Sequence, residues 1–149
     1  MTNRALIETV LKGIAHDIAQ DMSAKNLTAS GKSARSLKPV ILDDNEGQLK
    51  GAAHIYFQIH GRQPGPFKDG IKTMLKWIKD KGIQPNDSKT SLKSLAYLFA
   101  RKISQRGNDI YLRKRKGLET KEIYSKWKKI LVEMFKENLK KEIHAVTAK

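Results

Sequence analysis

Residues 57–107 read FQIHGRQPGPFKDGIKTMLKWIKDKGIQPNDSKTSLKSLAYLFARKISQRG, and the order of elements in this stretch decides the fold. A strand is predicted to run into a loop at 61–67, where two glycines and two prolines turn the backbone sharply and hold it rigid. Two amphipathic helices follow, and a glycine ends each of them, Gly82 the first and Gly107 the second. We place both in a two-helix segment at 69–105, with Asp69 and Ser88 as the expected N-caps.

Upstream of this stretch, the sequence predicts a helix and a β-hairpin. Apolar residues recur three or four positions apart over residues 3–22, which indicates an amphipathic N-terminal helix within 1–22. Residues 36–42 and 49–60 read as two antiparallel strands, so a hairpin is expected at 36–60, joined by the acidic turn DDNEGQ. In the second strand, Ala53, Ile55, Phe57 and Ile59 alternate with polar or aromatic residues, as a half-covered sheet requires.

Downstream, a basic loop precedes a long helix. Residues 113–116 are Arg113, Lys114, Arg115 and Lys116, within an exposed loop or hairpin at 108–117. Apolar spacing over 119–145 then predicts a C-terminal helix, with Trp127 as a core or interface anchor. The predicted fold class is therefore α+β, a small antiparallel sheet packed with a long N-terminal helix, two middle helices and a long C-terminal helix.

Length and composition limit the class of protein. The 149 residues fit one domain, 1–149, and a chain of this size buries about 68–70% of the surface exposed on unfolding. The absence of cysteine excludes disulfides, thiolate metal sites and a cysteine nucleophile. The N-terminus does not resemble a signal peptide, and no apolar run is long enough to span a bilayer. We therefore expect a soluble protein that folds in the cytoplasm and has no membrane partner.

The net charge of +15 is concentrated in the second part of the chain. Residues 1–60 carry +1, whereas residues 61–149 carry 23 Lys/Arg against nine Asp/Glu, or +14. Such a field attracts nucleic acid, an anionic membrane or an acidic protein surface, and charge alone does not choose among them.

Two patterns suggest catalysis or metal binding only weakly. Gly31, Lys32 and Ser33 match the end of a phosphate-binding P-loop, but Asn26 stands where its first glycine belongs, and a helix rather than a strand precedes it. His54 and His60 share one face of the predicted strand, but they lie about 20 Å apart, too far to ligate one ion. We expect no metal, no cofactor and no catalytic residues.

The order of elements resembles a known family. A long N-terminal helix is followed by the lead-in SGKSARSL, a strand that ends in aromatic-x-x-HGRxPG, a Trp-containing helix that stops at KGI, and then SLAYLFARKI and a glycine. This order resembles the tail-completion or head–tail joining proteins of long-tailed double-stranded DNA bacteriophages, and the resemblance covers roughly residues 1–145. The basic loop and the length of the last helix have no counterpart in that pattern.

The resemblance implies a structural virion protein without enzymatic activity. Such proteins form a homo-oligomeric ring, for which six subunits are expected, at the phage neck between the adaptor and the tail terminator, around the channel through which DNA leaves. Their location is the virion, and the host cytoplasm during assembly. The expected protein-interface residues are Tyr56, His60, Gly61, Arg62, Pro64, Gly65, Phe67 and Trp127. The expected contacts to DNA or an acidic neighbour are Arg113, Lys114, Arg115 and Lys116.

Three alternatives stay open at this point. The charge suggests a basic DNA-binding protein, although basic and aromatic residues are not interleaved as in many nucleic-acid-binding modules. The partial P-loop suggests an enzyme of phosphate chemistry. A tail terminator or another minor tail protein would also form a ring and would differ only in its position in the particle.

Overall fold

The computed structural model describes residues 1–147. Within that range it contains six helices and one two-stranded antiparallel sheet, which confirms the predicted α+β class. The elements in chain order are α1 (Asn3–Ala24), α2 (Lys32–Ser36), β1 (Lys38–Ile41), β2 (Gly47–Lys50), α3 (Ile55–His60), α4 (Gly70–Lys81), α5 (Leu92–Arg106) and α6 (Thr120–Thr147).

Helix α1 is the centre of the core. It begins at the N-cap Thr2, whose side chain accepts a hydrogen bond from the Ala5 N–H, and its apolar stripe is buried as the spacing predicted. One side of the stripe faces α6 and another faces the hairpin. The buried members of the stripe are Leu6, Ile7, Val10, Leu11, Ile14, Ile18 and Met22.

The crossing of α1 and α6 depends on a glycine. A Cβ added at Gly13 would lie 2.6 Å from Trp127 Cζ3 and closer still to two other ring atoms, so the indole ring rests directly on the α1 backbone. The Trp127 indole N–H also donates to Asp17 Oδ2 over 2.8 Å. The ring therefore fixes both the spacing and the register of the two longest helices.

The hairpin prediction of 36–60 is wrong at both ends. Strand β1 covers only four residues and pairs with β2 in the register Pro39 to Leu49 and Ile41 to Gly47. Residue 36 closes the short helix α2, and the predicted second strand stops at Lys50. Since β1 is so short, residues beyond 50 have no partner strand on which to continue a ladder.

Residues 55–60 form α3 rather than the end of a strand. The apolar pattern fits both structures. Ile55 and Ile59 are four residues apart, and residues at this spacing lie on the same face of a strand and also on the same face of a helix. As helical neighbours they pack together against the core around α1. Between them Gln58 donates a side-chain hydrogen bond to the Leu27 carbonyl and accepts at its own carbonyl from the Leu118 N–H.

Helices α4 and α5 form a hairpin that packs chiefly on itself. Gly82 ends α4 in the left-handed conformation, with φ +67°, as predicted. The two predicted N-caps are not confirmed. Asp69 occupies the cap position without a side-chain capping bond, and Ser91, not Ser88, caps α5 by accepting from the Ser94 N–H.

Candidate interaction site at the 61–67 loop

The 61–67 loop connects α3 to α4 and is fastened at its start to the turn after α5. The Arg62 N–H donates to Asn108 Oδ1 over 3.0 Å, and the Asn108 N–H donates to the Arg62 carbonyl over 3.0 Å. The same Oδ1 accepts from the Tyr111 N–H over 3.0 Å. One asparagine side chain therefore holds two backbone segments that are far apart in the sequence.

A second pair of bonds fastens the middle of the loop to α5. The Gly65 N–H donates to the Ser104 carbonyl over 2.8 Å, and the Ser104 hydroxyl donates back to the Gly65 carbonyl over 2.9 Å. Within the loop, Arg62 Nη2 donates to the Pro66 carbonyl over 2.7 Å. The loop is closed on itself and tied to α5, so its conformation is set before any partner arrives.

Two glycines allow this close fit. Gly61 has φ +76°, and a Cβ there would meet the Tyr111 backbone and would lie 2.7 Å from Asn108 Oδ1. Gly107 has φ +80°, and a Cβ there would lie 2.7 Å from the Arg62 carbonyl oxygen. A side chain at either position would push the two segments apart.

The outer side of the loop carries an aromatic patch, which we define as Tyr56, Phe57, His60, Arg62 and Phe67. The Arg62 guanidinium carbon lies 4.2 Å from the Phe67 ring centroid and 5.7 Å from that of Phe57. The Tyr56 ring centroid lies 4.6 Å from that of His60, with the ring planes tilted by 48°, and 5.7 Å from that of Phe57 in an edge-on arrangement. Tyr56 is 61% exposed and Phe57 is 42% exposed, so most of the patch faces solvent.

The structure brings together seven of the eight predicted interface residues. Tyr56, His60 and the named loop residues lie together, including the exposed Pro64. Trp127 is not among them, because it packs on Gly13 in the α1–α6 contact. Phe57 was not among the predicted interface residues, because the predicted strand would place it on the opposite face from Tyr56. A helical reading of residues 55–60 would have placed the two rings side by side.

The four residues of the basic loop differ in whether they are engaged within the fold. The Arg115 guanidinium donates to the carbonyls of Lys25 and Asn26 at the end of α1, where the helix dipole is negative. Lys116 lies 3.8 Å from Glu119. Arg113 and Lys114 are exposed and form no ion pair within residues 1–147. Two of the four predicted cations are therefore available to an external anion, and Arg115 is engaged in the fold.

Lys81 approaches the same helix end from α4. Its ammonium group donates to the Asn26 carbonyl over 2.9 Å. Partial burial, together with the nearby Arg115 charge, lowers the pKa of Lys81. The C-terminal end of α1 is thus the place where α4 and the basic loop are both attached to the core.

The partial P-loop does not have the geometry of a phosphate site. Gly31 is the left-handed N-cap of α2, a helix of five residues, and α1 and a turn precede it instead of a strand. Ser33 is buried, and its hydroxyl lies 2.6 Å from His54 Nε2. No third group in the described chain aligns the other side of that imidazole, so the pair is not a triad.

Metal and membrane sites are equally unsupported by the described residues. No cluster of three or more His, Cys, Asp or Glu side chains in residues 1–147 could hold an ion. None of the helices described in this range is long and apolar enough to cross a bilayer.

Comparison of the chain with protein-family models, with curated proteins and with solved structures finds no match in any of the three.

Proposed function

We propose that this chain is a structural virion protein of a tailed phage, a ring-forming subunit of the neck or tail-completion region that surrounds the DNA channel. The observation that carries the proposal is the 61–67 loop. This segment holds the HGRxPG pattern on which the family resemblance rests, and it is fixed at Arg62 and at Gly65 while its aromatic patch faces solvent.

A loop that is already fixed lowers the cost of assembly. Ordering a loop and its side chains on binding costs about 0.5–1.5 kcal/mol for each immobilised side chain, and a loop that is already ordered avoids much of this cost. Aromatic residues and arginine are also the types most enriched in protein–protein interfaces. Both arguments favour the aromatic patch as a subunit contact.

The charge distribution fits a subunit near DNA or near an acidic neighbour. The +14 of residues 61–149 gives the second part of the chain a strong positive field, and Arg113 and Lys114 are its exposed loop cations. The partners of the proposal are therefore other copies of the chain, the adjoining neck proteins and the DNA that passes through the channel. Its location is the virion, and the host cytoplasm during assembly.

Native mass spectrometry of the purified protein, alone and with phage head fractions, tests the proposal. We expect a discrete closed oligomer or saturable incorporation into the particles. Substitution of Tyr56 and Phe57 by serine is expected to reduce either readout, while serine at the exposed Tyr124 on α6 serves as a matched control. A chain that remains monomeric and never enters a particle would contradict the proposal.

The second candidate is a basic DNA-binding protein, which the same charge excess favours. If six to ten phosphates were contacted, affinity for duplex DNA would fall by about 10³–10⁵ between 50 and 200 mM salt. A steep salt dependence of binding by the monomer would support this candidate over the neck protein. A tail terminator stays a variant of the first proposal, since it differs in position only.

A further inference from the structure

An open apolar groove runs between α4 and α5 beside the 61–67 loop. Its volume is about 750 Å³, and Phe67, Ile71, Leu75 and Tyr97 form its apolar walls. The floor is the close contact of Gly70 with Ala100, both of which are buried; a Cβ on Gly70 would lie 3.2 Å from Ala100 Cβ. Tyr97 remains 49% exposed at the edge, so the groove is wide enough to receive a side chain from outside.

The rim of the groove is positive. Lys72, Lys93 and Arg101 border it, and none of the three forms an ion pair within residues 1–147. Asp69 is the one carboxylate among the described lining residues. An occupant of this groove therefore needs an apolar side chain flanked by acids.

The tip of the β1–β2 hairpin has that composition. Residues 42–46 place Leu42, which is 52% exposed, directly before Asp43 and Asp44, and Glu46 closes the turn by accepting from the Leu42 N–H. The three carboxylates form no ion pair in the described chain. No other stretch of five residues in the sequence holds three acids.

The hairpin tip and the α4–α5 hairpin are attached at opposite ends of α1. Asn45 accepts a side-chain hydrogen bond from Asn3, at the start of α1. The α4–α5 hairpin is attached at the other end of α1, where Lys81 binds Asn26. A helix of 22 residues is roughly 33 Å long, so these two points of attachment lie about that far apart.

We propose that the acidic hairpin tip of one copy docks in the basic-rimmed α4–α5 groove of the next copy. Because the two surfaces are different, the contact is head-to-tail, which is the type that closes into a ring when the rotation permits. This inference rests on the proposed ring-forming function and assigns the surfaces that make the ring. The aromatic patch adjoins the groove through Phe67 and enlarges the same contact.

The exposed end of α6 is a poorer occupant. It presents a stripe of apolar side chains, but the lysines beside that stripe outnumber the carboxylates Glu137 and Glu142, so the net charge there has the same sign as the groove rim. The stripe consists of Leu139, Ile143 and Val146, and the nearest lysines are Lys136, Lys140 and Lys141.

Charge reversal on each surface tests the proposal. The tip variant carries D43K, D44K and E46K, and the rim variant carries K72E, K93E and R101E. A control variant carries the charge change of the rim variant at three exposed lysines of α6, K121E, K128E and K140E. Circular dichroism establishes that each variant is folded, and native mass spectrometry reports its assembly.

We expect the tip variant and the rim variant each to lose assembly, while the control retains it. An equimolar mixture of the two variants is expected to restore assembly. The basic tip of the tip variant then binds the acidic rim of the rim variant, and the acidic tip of the rim variant binds the basic rim of the tip variant. A single chain with all six substitutions is expected to assemble for the same reason.

A disulfide trap gives an independent readout. Since the chain has no cysteine, N45C combined with Y97C is expected to form a covalent bond between copies under oxidation, at high protein concentration or on particles. If both charge-reversed variants form the same rings as the wild type, and N45C with Y97C forms no disulfide between copies, this inference is wrong and the proposed function is unaffected. A wild-type chain that associates neither with itself nor with particles would overturn both.

Discussion

Asn108 and Arg62 are joined by two hydrogen bonds of 3.0 Å, one from the Arg62 N–H to the asparagine side chain and one from the Asn108 N–H to the Arg62 carbonyl. Because Asn108 also accepts from the Tyr111 N–H, its amide group is the link that sets the loop against the turn after α5. The shape of the candidate interface therefore depends on a residue outside the loop.

Asn108→Ala is expected to loosen the loop without unfolding the core. Two backbone donors would lose their acceptor. The Arg62 N–H is partly buried, and leaving it unpaired costs about 1–3 kcal/mol, whereas the exposed Tyr111 N–H can bond to water instead. We expect a lower melting temperature and faster hydrogen exchange at the Arg62 and Tyr111 amides. Asn86→Ala, at an exposed loop position, is the control and should change neither.

Gly61→Ala and Gly82→Ala compare a blocked glycine with an open one. Both glycines have positive φ, +76° and +67°. Gly82, with ψ 24°, lies in the left-handed helical region, where an alanine costs about 1–2 kcal/mol, whereas Gly61, with ψ 174°, lies in a region that essentially only glycine adopts, so its backbone strain is larger. Nothing lies within 4 Å of a Cβ at Gly82, whereas one at Gly61 would strike the Tyr111 backbone. We expect denaturant titration to show a much larger loss for Gly61→Ala. Equal losses would show that the two segments are not in close contact.

Gly13→Ala is predicted to destabilise the protein although it lies inside a helix. In an unobstructed helix interior this change stabilises by about 0.5–1 kcal/mol. Here the new methyl group would meet the Trp127 ring and separate α1 from α6. In a Trp127→Ala background the sign should reverse, which a double-mutant cycle measures directly. A stabilising Gly13→Ala in the wild type would contradict the described helix contact.

Asp17 makes the α1–α6 contact sensitive to acid. Hydrogen bonds from Lys126 and from the Trp127 indole lower its pKa. Since the folded pKa is lower than the unfolded one, the ionised carboxylate stabilises the fold above the unfolded pKa, near about 4. This contribution is lost as pH falls through the folded pKa.

Asp17→Asn is therefore expected to reduce stability at neutral pH by about 0.5–1 kcal/mol, the range for partly exposed pairs, and to flatten the acid limb of the stability curve. Thermal melts across the acid range measure both effects. Glu137→Gln, which removes an exposed carboxylate from α6, is the control and should leave the acid limb unchanged.

The basic loop should separate into two functional classes. Arg115→Ala removes donors from the end of α1 and is expected to lower stability by about 0.3–1 kcal/mol, the range for an exposed cation at a helix end. Arg113→Ala with Lys114→Ala should leave stability unchanged and weaken binding to an anionic partner. Thermal melts and titration with duplex DNA distinguish the classes, and a reversed pattern would contradict the described contacts.

The helices were predictable because each long helix buries one face. The stripe from Leu6 to Met22 has one helical period throughout, so sequence and structure agree there. Residues 55–60 were not predictable in the same way, since six residues are too few to separate period two from period 3.6. What decides their structure is the short β1, which offers no partner strand.

The candidate site was predictable in part. The glycines and prolines of 61–67 identify a tight loop. Of its exposed residues Pro64 was predicted, and Gln63 and Pro66 were not. The anchors were not, because Asn108 and Ser104 lie 46 and 39 residues from the groups that they bind. No spacing in a single sequence pairs positions so far apart, and only the packing of α5 against the loop brings them together.

We propose that the chain works as an assembled subunit in a virus particle. Negative-stain imaging of phage heads that lack this subunit, before and after addition of the purified protein, is the decisive experiment. We expect a new ring of density at the vertex where the tail attaches. Heads that gain no density there, while the protein stays free or coats naked DNA, would contradict it.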